Sequence, residues 1–572
     1  MAEAVVSAVL HQLLTIVDRE VGQEVRLVVG VEQQVQKMKS TFRSIQAVLV
    51  DAENRQYLKK DGEAVKVWLD KLKHISYDID HVLDEWNTAI LKSQIERDHS
   101  FLPSKVCSCI PSHYSCFGKL ALPLRHDIAQ RIEELNKKLE VISREKDDFS
   151  FAVGLNSSTV GLNSSTERPK TTSLIDESHV YGREHDKDAL VDRLLLSDNN
   201  NEGGSDGAEV QRRVESSHGN VRHLTLTPNV EQHLPIIDGI KGVENLRSFL
   251  FPAFIHTSDN LQILTESLPK LFLQLSNLRM LVFYTNVAGL EFLKEIGKLI
   301  HLRYLSLEGN LGLIELPEAL CDLYNLQTLN IRSCLYLRKL PLKIEKLINL
   351  RHLQNEHTRN ITFMPKGMGK LTSLQTLEEF VVKKGGGTNQ NERPCSLEDL
   401  GKLIHLRGHL RIKRLGDYVG EEASAARTRE ALLSTKAGLH SLGLDFRGEI
   451  KEGRKRKEEE ALLLQALHPP PHLQISRIES CPASAFPNWI TLLTSLKWVT
   501  LYRCYNWESL PPMGNLPSLE SLTIGGMYKV RKVGEELLGV VVGRASPSSV
   551  NQNIAFPNLK KLEFGGMDAW EG

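Results

Sequence analysis

The chain lacks net charge, is poor in aromatic residues and contains no long apolar run. Lys+Arg and Asp+Glu number 71 each in 572 residues, so bulk attraction to nucleic acid or to an anionic membrane is not implied and only local charge patterns can carry function. No stretch reaches the roughly 18 consecutive apolar residues of a spanning helix. The first residues lack the basic region and cleavage site of a secretory leader. Eight irregularly spaced cysteines are too few for a disulfide framework in a chain of this size. The histidines are scattered, with no acid, nucleophile and orienting group in company. These absences describe a cytoplasmic binding protein rather than an enzyme. The length exceeds what one compact core holds, so two or more domains are expected.

What the chain has in abundance is leucine in register. Leu278, Leu302, Leu326, Leu350 and Leu374 fall 24 residues apart, and Leu275, Leu299, Leu323, Leu347 and Leu371 keep the same step. A third column is proline after an apolar residue, at Pro317, Pro341 and Pro365. The strings Leu302-x-x-Leu305-x-Leu307 and Leu326-x-x-Leu329-x-Ile331 supply the core of a leucine-rich repeat. Each unit gives one short strand and a return segment, and none can bury its leucines alone. Repeat grammar starts at Val221-x-x-Leu224-x-Leu226 and loosens after Leu377, with later strands at Leu439, Leu496, Leu519 and Leu559.

The N-terminal part has a helical period instead. Leu10, Leu13, Leu14 and Val17 form one stripe, and Val31, Val35, Met38, Phe42, Ile45 and Leu49 form a second. A longer one runs from Val65 and Trp68 to Trp86, and a fourth from Ile128 to Ile142. Four such stripes predict a bundle. The expected fold class is therefore α plus α/β: a four-helix bundle over residues 1–148, then a leucine-rich solenoid over 215–572. Between them lie a linker over 149–176, which repeats Val-Gly-Leu-Asn-Ser-Ser-Thr from Val153 and again from Val160, and a short segment over 177–210. The last strand is followed at once by Gly572 with no polar capping repeat, so the solenoid reads as truncated.

This order resembles the coiled-coil class of plant nucleotide-binding leucine-rich-repeat disease-resistance proteins, the RGA-like group in particular. Residues 1–20 are similar to the family's first-helix signature, with Ala8 and Gln12 where that pattern has Phe and Lys. Asp80, His81, Val82, Leu83 and Asp84 resemble its acidic third-helix motif, with His81 in place of an acid. Val180, Tyr181, Gly182 and Arg183 resemble the strand that opens its nucleotide-binding domain. The resemblance implies a defence receptor that recognises a pathogen effector or a host protein through its repeats and pairs through its bundle with other bundles or receptors. It also implies ADP/ATP with Mg, but no G-x-x-x-x-G-K-[ST] occurs in the chain. Gly367-Met-Gly369-Lys370 falls inside the repeat register and is followed by Leu371 rather than a hydroxyl residue. No cofactor and no working nucleotide switch are therefore expected. Alternatives are a modulator or decoy of full-length receptors, a non-functional shortened or wrongly joined product of a receptor gene, and an NTPase with an unrecognised phosphate site.

Three candidate surfaces follow. Asp80 and Asp84, four apart on one helix face, carry like charge that a basic partner would relieve. Arg279, Arg303 and Arg351 follow the column leucine with Gln327 as the gap, and stacking about 5 Å apart puts them in a row on which the acidic helix could dock. The alternative for both is a solvated surface. Residues between the column leucines point to the concave face: Tyr304, Ser306 and Glu308, then Thr328, Asn330 and Arg332, then His352, Gln354 and Glu356. They form the candidate recognition face, against an ordinary hydrophilic exterior. Cys107, Cys109, His113 and Cys116 have the ligand types for zinc but no common finger spacing, so a reduced loop is expected. The apolar first helix suggests peripheral plasma-membrane association, against the reading that its stripe is bundle core.

Overall fold

The computed structural model describes residues 2–22, 32–56, 62–99, 121–151, 180–181, 222–225, 245–252, 270–284, 291–383, 394–417, 432–448, 454–539 and 555–571. They fall in two compact units, Met1–Leu174 and Ile175–Gly572. The duplicated linker lies outside the described residues.

The first unit is helical: α1 (Ala2–Gly22), α2 (Glu32–Arg55), α3 (Gly62–His99) and α4 (Ala121–Glu145). The predicted stripes of α2, α3 and α4 meet in one core, whereas on α1 the buried face is Val6, Val9, Leu13 and Ile16, with Leu10 and Leu14 of the predicted stripe only half-buried. Val6, Val9, Leu13 and Ile16 of α1 pack with Phe42 and Ile45 of α2, Trp68 and Trp86 of α3, and Ile132 and Leu139 of α4. The apolar face that invited a membrane reading is thus interior, and among the described residues no helix is long and apolar enough to cross a membrane. Packing continues past α4. Phe149 and Phe151 stack on each other and lean on Trp68, whose indole N–H donates to the Ile142 carbonyl at 2.9 Å.

The second unit is a ladder of parallel strands. The first sheet runs β1 (Val180–Tyr181), β2 (His223–Thr225), β3 (Ser248–Pro252), β4 (Met280–Tyr284), β5 (Tyr304–Ser306), β6 (Thr328–Asn330), β7 (His352–Gln354) and β8 (Thr376–Leu377). The second holds β9 (Glu379–Val381), β10 (Arg407–Lys413), β11 (Gly438–Asp445), β12 (Ile475–Glu479), β13 (Trp498–Tyr502), β14 (Ser521–Gly525) and β15 (Lys561–Gly565). Within each sheet every strand pairs with the next in sequence, and β8 and β9 do not pair. The register repeats the 24-residue step: Tyr304 faces Thr328, Thr328 faces His352, and His352 faces Thr376. Val180 and Tyr181 pair with His223 and Leu224, so this short strand is the first rung of the same sheet.

Alternation on a strand turns every second side chain inward, and Leu302, Leu305, Leu307, Leu326, Leu329 and Ile331 are fully buried in one continuous core. Each is worth about 1.5–3 kcal/mol relative to exposure. The return segments are short 3-10 turns, such as Glu318–Asp322 and Lys366–Lys370, opened by Pro317 and Pro365. Proline suits that position because it has no N–H to leave unpaired. Buried polar groups hold the turns to the strands. Asn310 donates to the carbonyls of Phe283 (2.8 Å) and Leu307 (2.7 Å), and the thiol of Cys334, at the equivalent place, donates to Leu307 at 3.0 Å. Glu378, between β8 and β9, marks the seam between the sheets, and its carbonyl accepts from the Arg411 N–H of β10 at 2.7 Å.

The Gly367-Met-Gly369-Lys370 string forms one of these turns, with both glycines buried. A Cβ on Gly367 would strike the Glu345 carboxylate, and one on Gly369 would lie 2.7 Å from Asp399 Cβ. The glycines are there so that stacked turns can approach closely.

Candidate functional site

The acidic motif sits on α3, with Asp80 and Asp84 buried along with Val82 and Leu83. Asp84 accepts a hydrogen bond from Gln12 Nε2 of α1 at 2.5 Å. Two of the three departures noted in the sequence, Gln12 and His81, are therefore structurally engaged, while Ala8 is exposed. Gln12 tethers α1 to Asp84, while His81 pairs through Nε2 with Glu85 at 3.0 Å. Glu85 also takes Arg131 of α4. Burial by itself raises the Glu85 carboxyl, but the His81 hydrogen bond and the His81 and Arg131 charges outweigh it and bring the group down to about 2.

Backbone bonds of 2.8 Å run from Arg303 N to Arg279 O, from Gln327 N to Arg303 O and from Arg351 N to Gln327 O, so the predicted arginines do form a column. The column is longer than the spacing revealed. It extends through Arg247 and Arg222 on one side and through Gln375 to Arg407 on the other, at 2.7–2.8 Å per rung. Those arginines stand off the 24-residue step because the repeats there are longer. Burial, followed by the charges of Arg407 and Arg351, holds the neighbouring His352 below the usual imidazole range.

Of the candidate recognition face, Tyr304, Thr328 and His352 stack in one half-buried row, and Ser306, Asn330 and Gln354 in the next. Ser306 and Asn330 do not face solvent as the alternation suggested, since each is only 4% exposed. Asn330 donates to Glu308 at 2.8 Å and accepts from the Arg332 N–H at 3.1 Å. Arg332 in turn grips Glu378 through Nε at 2.9 Å, and Glu378 accepts from the Glu356 N–H. Half of the expected face is thus a polar clasp holding the strand ends. Gly182 and Arg183 of the opening-strand motif, and the Cys107–Cys116 cluster, lie outside the described residues.

A hollow of about 800 Å³ opens at the strand ends beside the seam, lined from Glu379 of β9 to Tyr502 of β13 and by the loop after β7. On its floor Arg411 reaches Glu479 at 2.6 Å and Asp445 at 3.3 Å, and Lys413 reaches Glu379 at 2.6 Å. Arg477 pairs with Glu479 and Arg447 with Asp445. Gly443 stands in register between Arg411 and Arg477, so no side chain fills the gap. Arg359, Arg414 and Arg503 also line the hollow, bringing its cations to seven against three carboxylates. Sequence reading passed over it because the residues come from separate, irregularly spaced repeats. The one available signal was the arginine at or just after several strands.

The described cysteines, Cys321, Cys334, Cys395, Cys481 and Cys504, are free and buried. Burial pushes their thiols up, Cys334 and Cys504 to about 12, which leaves them poor nucleophiles and metal ligands.

Parallel strands, 3-10 returns and an asparagine/cysteine ladder define a leucine-rich-repeat solenoid, and the leucine-rich repeat region model matches residues 264–571. The chain belongs to the leucine-rich-repeat family. Its helical part matches the Rx N-terminal domain over residues 5–117. Disease resistance protein RGA2 of Solanum bulbocastanum is 35% identical over 195 residues, and RGA1 of the same species 32% over the same length. Each alignment covers 34% of this chain and only 17% of the relative. In its two matched regions and these relatives the chain is similar to plant disease resistance proteins, of whose length it spans only a small part. An internalin of Listeria monocytogenes superposes with a TM-score of 0.33 at 17% identity, over 55% of this chain and 77% of its own.

Proposed function

We propose that the chain is a plant-immunity recognition protein that acts by binding, its solenoid taking a pathogen or host protein and its bundle pairing with other bundles or receptors, without an ATP/ADP switch. The observation that carries this is the rigid strand array. Tyr304, Thr328 and His352 are held in register above a continuous buried core, and extended solenoid surfaces of this kind serve protein recognition. The test is a binding screen of full chain against pathogen and host proteins, repeated with Tyr304→Ala and His352→Ala, and with Arg411→Ala and Trp498→Ala on the second sheet. Partners lost on at least one strand-face pair support the reading, and partners indifferent to both overturn it.

The missing phosphate loop carries the second half of the proposal. Titration of purified chain with ATP or ADP and Mg is expected to give no binding. Saturable binding at micromolar nucleotide restores the switch. For the acidic motif we keep a docking role toward the arginine column, on charge sign alone. Arg303→Glu with Arg351→Glu is expected to weaken binding of purified bundle to purified solenoid, and unchanged affinity removes the idea.

A further inference from the structure

The hollow beside the seam is more than a gap between strands. Its three carboxylates are already spoken for: Glu379 by Lys413, Asp445 by Arg447 and Arg411, and Glu479 by Arg411 and Arg477. Arg414 is held by Asp417 at 2.6 Å. Arg359 and Arg503, both exposed, have no carboxylate within ion-pair reach among the described residues. The opening is therefore a cationic site whose internal acids cannot neutralise it.

The turns that follow the strands here are left-handed, as the equivalent turns at Gly309, Ser333, Gly526 and Gly566 are in other repeats. Of seven non-glycine residues with positive φ among the described residues, four line this hollow: His357 (63°), Arg414 (61°), Ser480 (54°) and Arg503 (58°).

Aromatic side chains continue the same edge. Tyr502 lines the hollow at 41% exposure, and the Arg503 guanidinium lies 5.2 Å from its ring. Tyr505 (37% exposed) stacks on Tyr528 (49%) at 5.1 Å. Gly525 makes room, since a Cβ there would sit 3.0 Å from the Tyr502 ring. Trp498, 42% exposed, begins the strand that Tyr502 ends. Arginine, tyrosine and tryptophan are the residues enriched at protein-binding hot spots. A small anion would have no use for the aromatic edge.

We infer that this hollow and its edge bind an acidic segment of a partner protein, carboxylates against Arg359, Arg447 and Arg503 and an apolar side chain against Tyr502, Tyr505 and Tyr528. Guanidinium and carboxylate match as bidentate pairs. The inference rests on the recognition reading and locates its charged half.

The probe is a short fluorescent peptide of glutamate pairs separated by single phenylalanines, titrated into full chain and followed by anisotropy. Binding is expected, weakening as salt rises to about 0.15 M, where exposed charges are screened beyond about 8 Å. The pair Arg359→Glu and Arg503→Glu is expected to weaken it about ten-fold or more, and Tyr505→Ala with Tyr528→Ala less, both with an unchanged melting curve. The same peptide with lysine for glutamate is expected not to bind. Binding indifferent to the arginine pair overturns the site. So does an aromatic pair without effect combined with tighter binding of tripolyphosphate, which would mark a small-anion site. A protein partner lost on Tyr304→Ala with His352→Ala, yet indifferent to the arginine pair, overturns this site and leaves the recognition reading standing.

Discussion

The two sheets of the solenoid share one core but present different surfaces. From β4 to β8 the repeats keep a strict step, and their strand ends are tied by Asn330, Arg332 and Glu378 into a closed polar clasp. From β9 to β13 the repeats vary in length, and the same edge opens into a hollow with surplus arginines and exposed aromatics. Regularity in a repeat protein marks where stacking is satisfied by itself. Irregularity marks where the edge is free to be shaped for a partner, as loops on a rigid scaffold usually are.

The largest effect that could break this comparison lies in the core. Leu353→Ala in the first sheet and Leu501→Ala in the second, both fully buried, are each expected to lose about 2–5 kcal/mol in urea denaturation. A loss at Leu501 far below that at Leu353 would mean that the irregular half lacks an equally rigid base. Next comes the seam. Asn355 donates to the Glu379 carbonyl and accepts from the Glu378 and Glu379 N–H groups. Asn355→Ala strands these groups at about 1–3 kcal/mol for each left without water, and calorimetry should show a lower melting temperature.

A finer test is the pH dependence of each unit. Lys436 is fully buried, with only the carbonyls of Leu403 (2.9 Å) and Gly401 (3.3 Å) as acceptors among the described residues, and burial brings its amine down to about 8. Because the unfolded lysine holds its proton up to about 10.5, stability should rise between pH 8 and 10.5. Lys436→Met is expected to flatten that rise in melting scans, and an unchanged slope would place the amine in water. Glu85 in the bundle gives a slope of the same sign in an acid window, because it too holds its proton less tightly when folded. Its contribution is complete above 4.5 and is lost as pH falls toward 2, so Glu85→Gln should blunt acid unfolding of the helices by circular dichroism. The smallest effect belongs to the exposed Lys560–Glu520 pair at 2.9 Å. Lys560→Ala should leave the melting temperature unchanged, since an exposed pair is screened by solvent.

Much of this was legible in the leucines. A side chain buried on every 24th residue dictates strand, turn and stacking together, because no single repeat can hide its own apolar face. The bundle was legible for the same reason, since the stripes read at helical spacing through Phe42, Trp68 and Ile132 meet in its core. Surface chemistry was not. Whether Ser306 or Asn330 faces water depends on what neighbouring strands place over it, and Arg222, Arg247 and Arg407 join the arginine column only once longer repeats are folded into register. The hollow needed Arg359, Arg411, Arg447 and Arg503 to be gathered from four separate repeats. Apolar burial repeats with a fixed local period and can be read along the chain. Polar pairing is a long-range choice among partners, and only tertiary structure makes it.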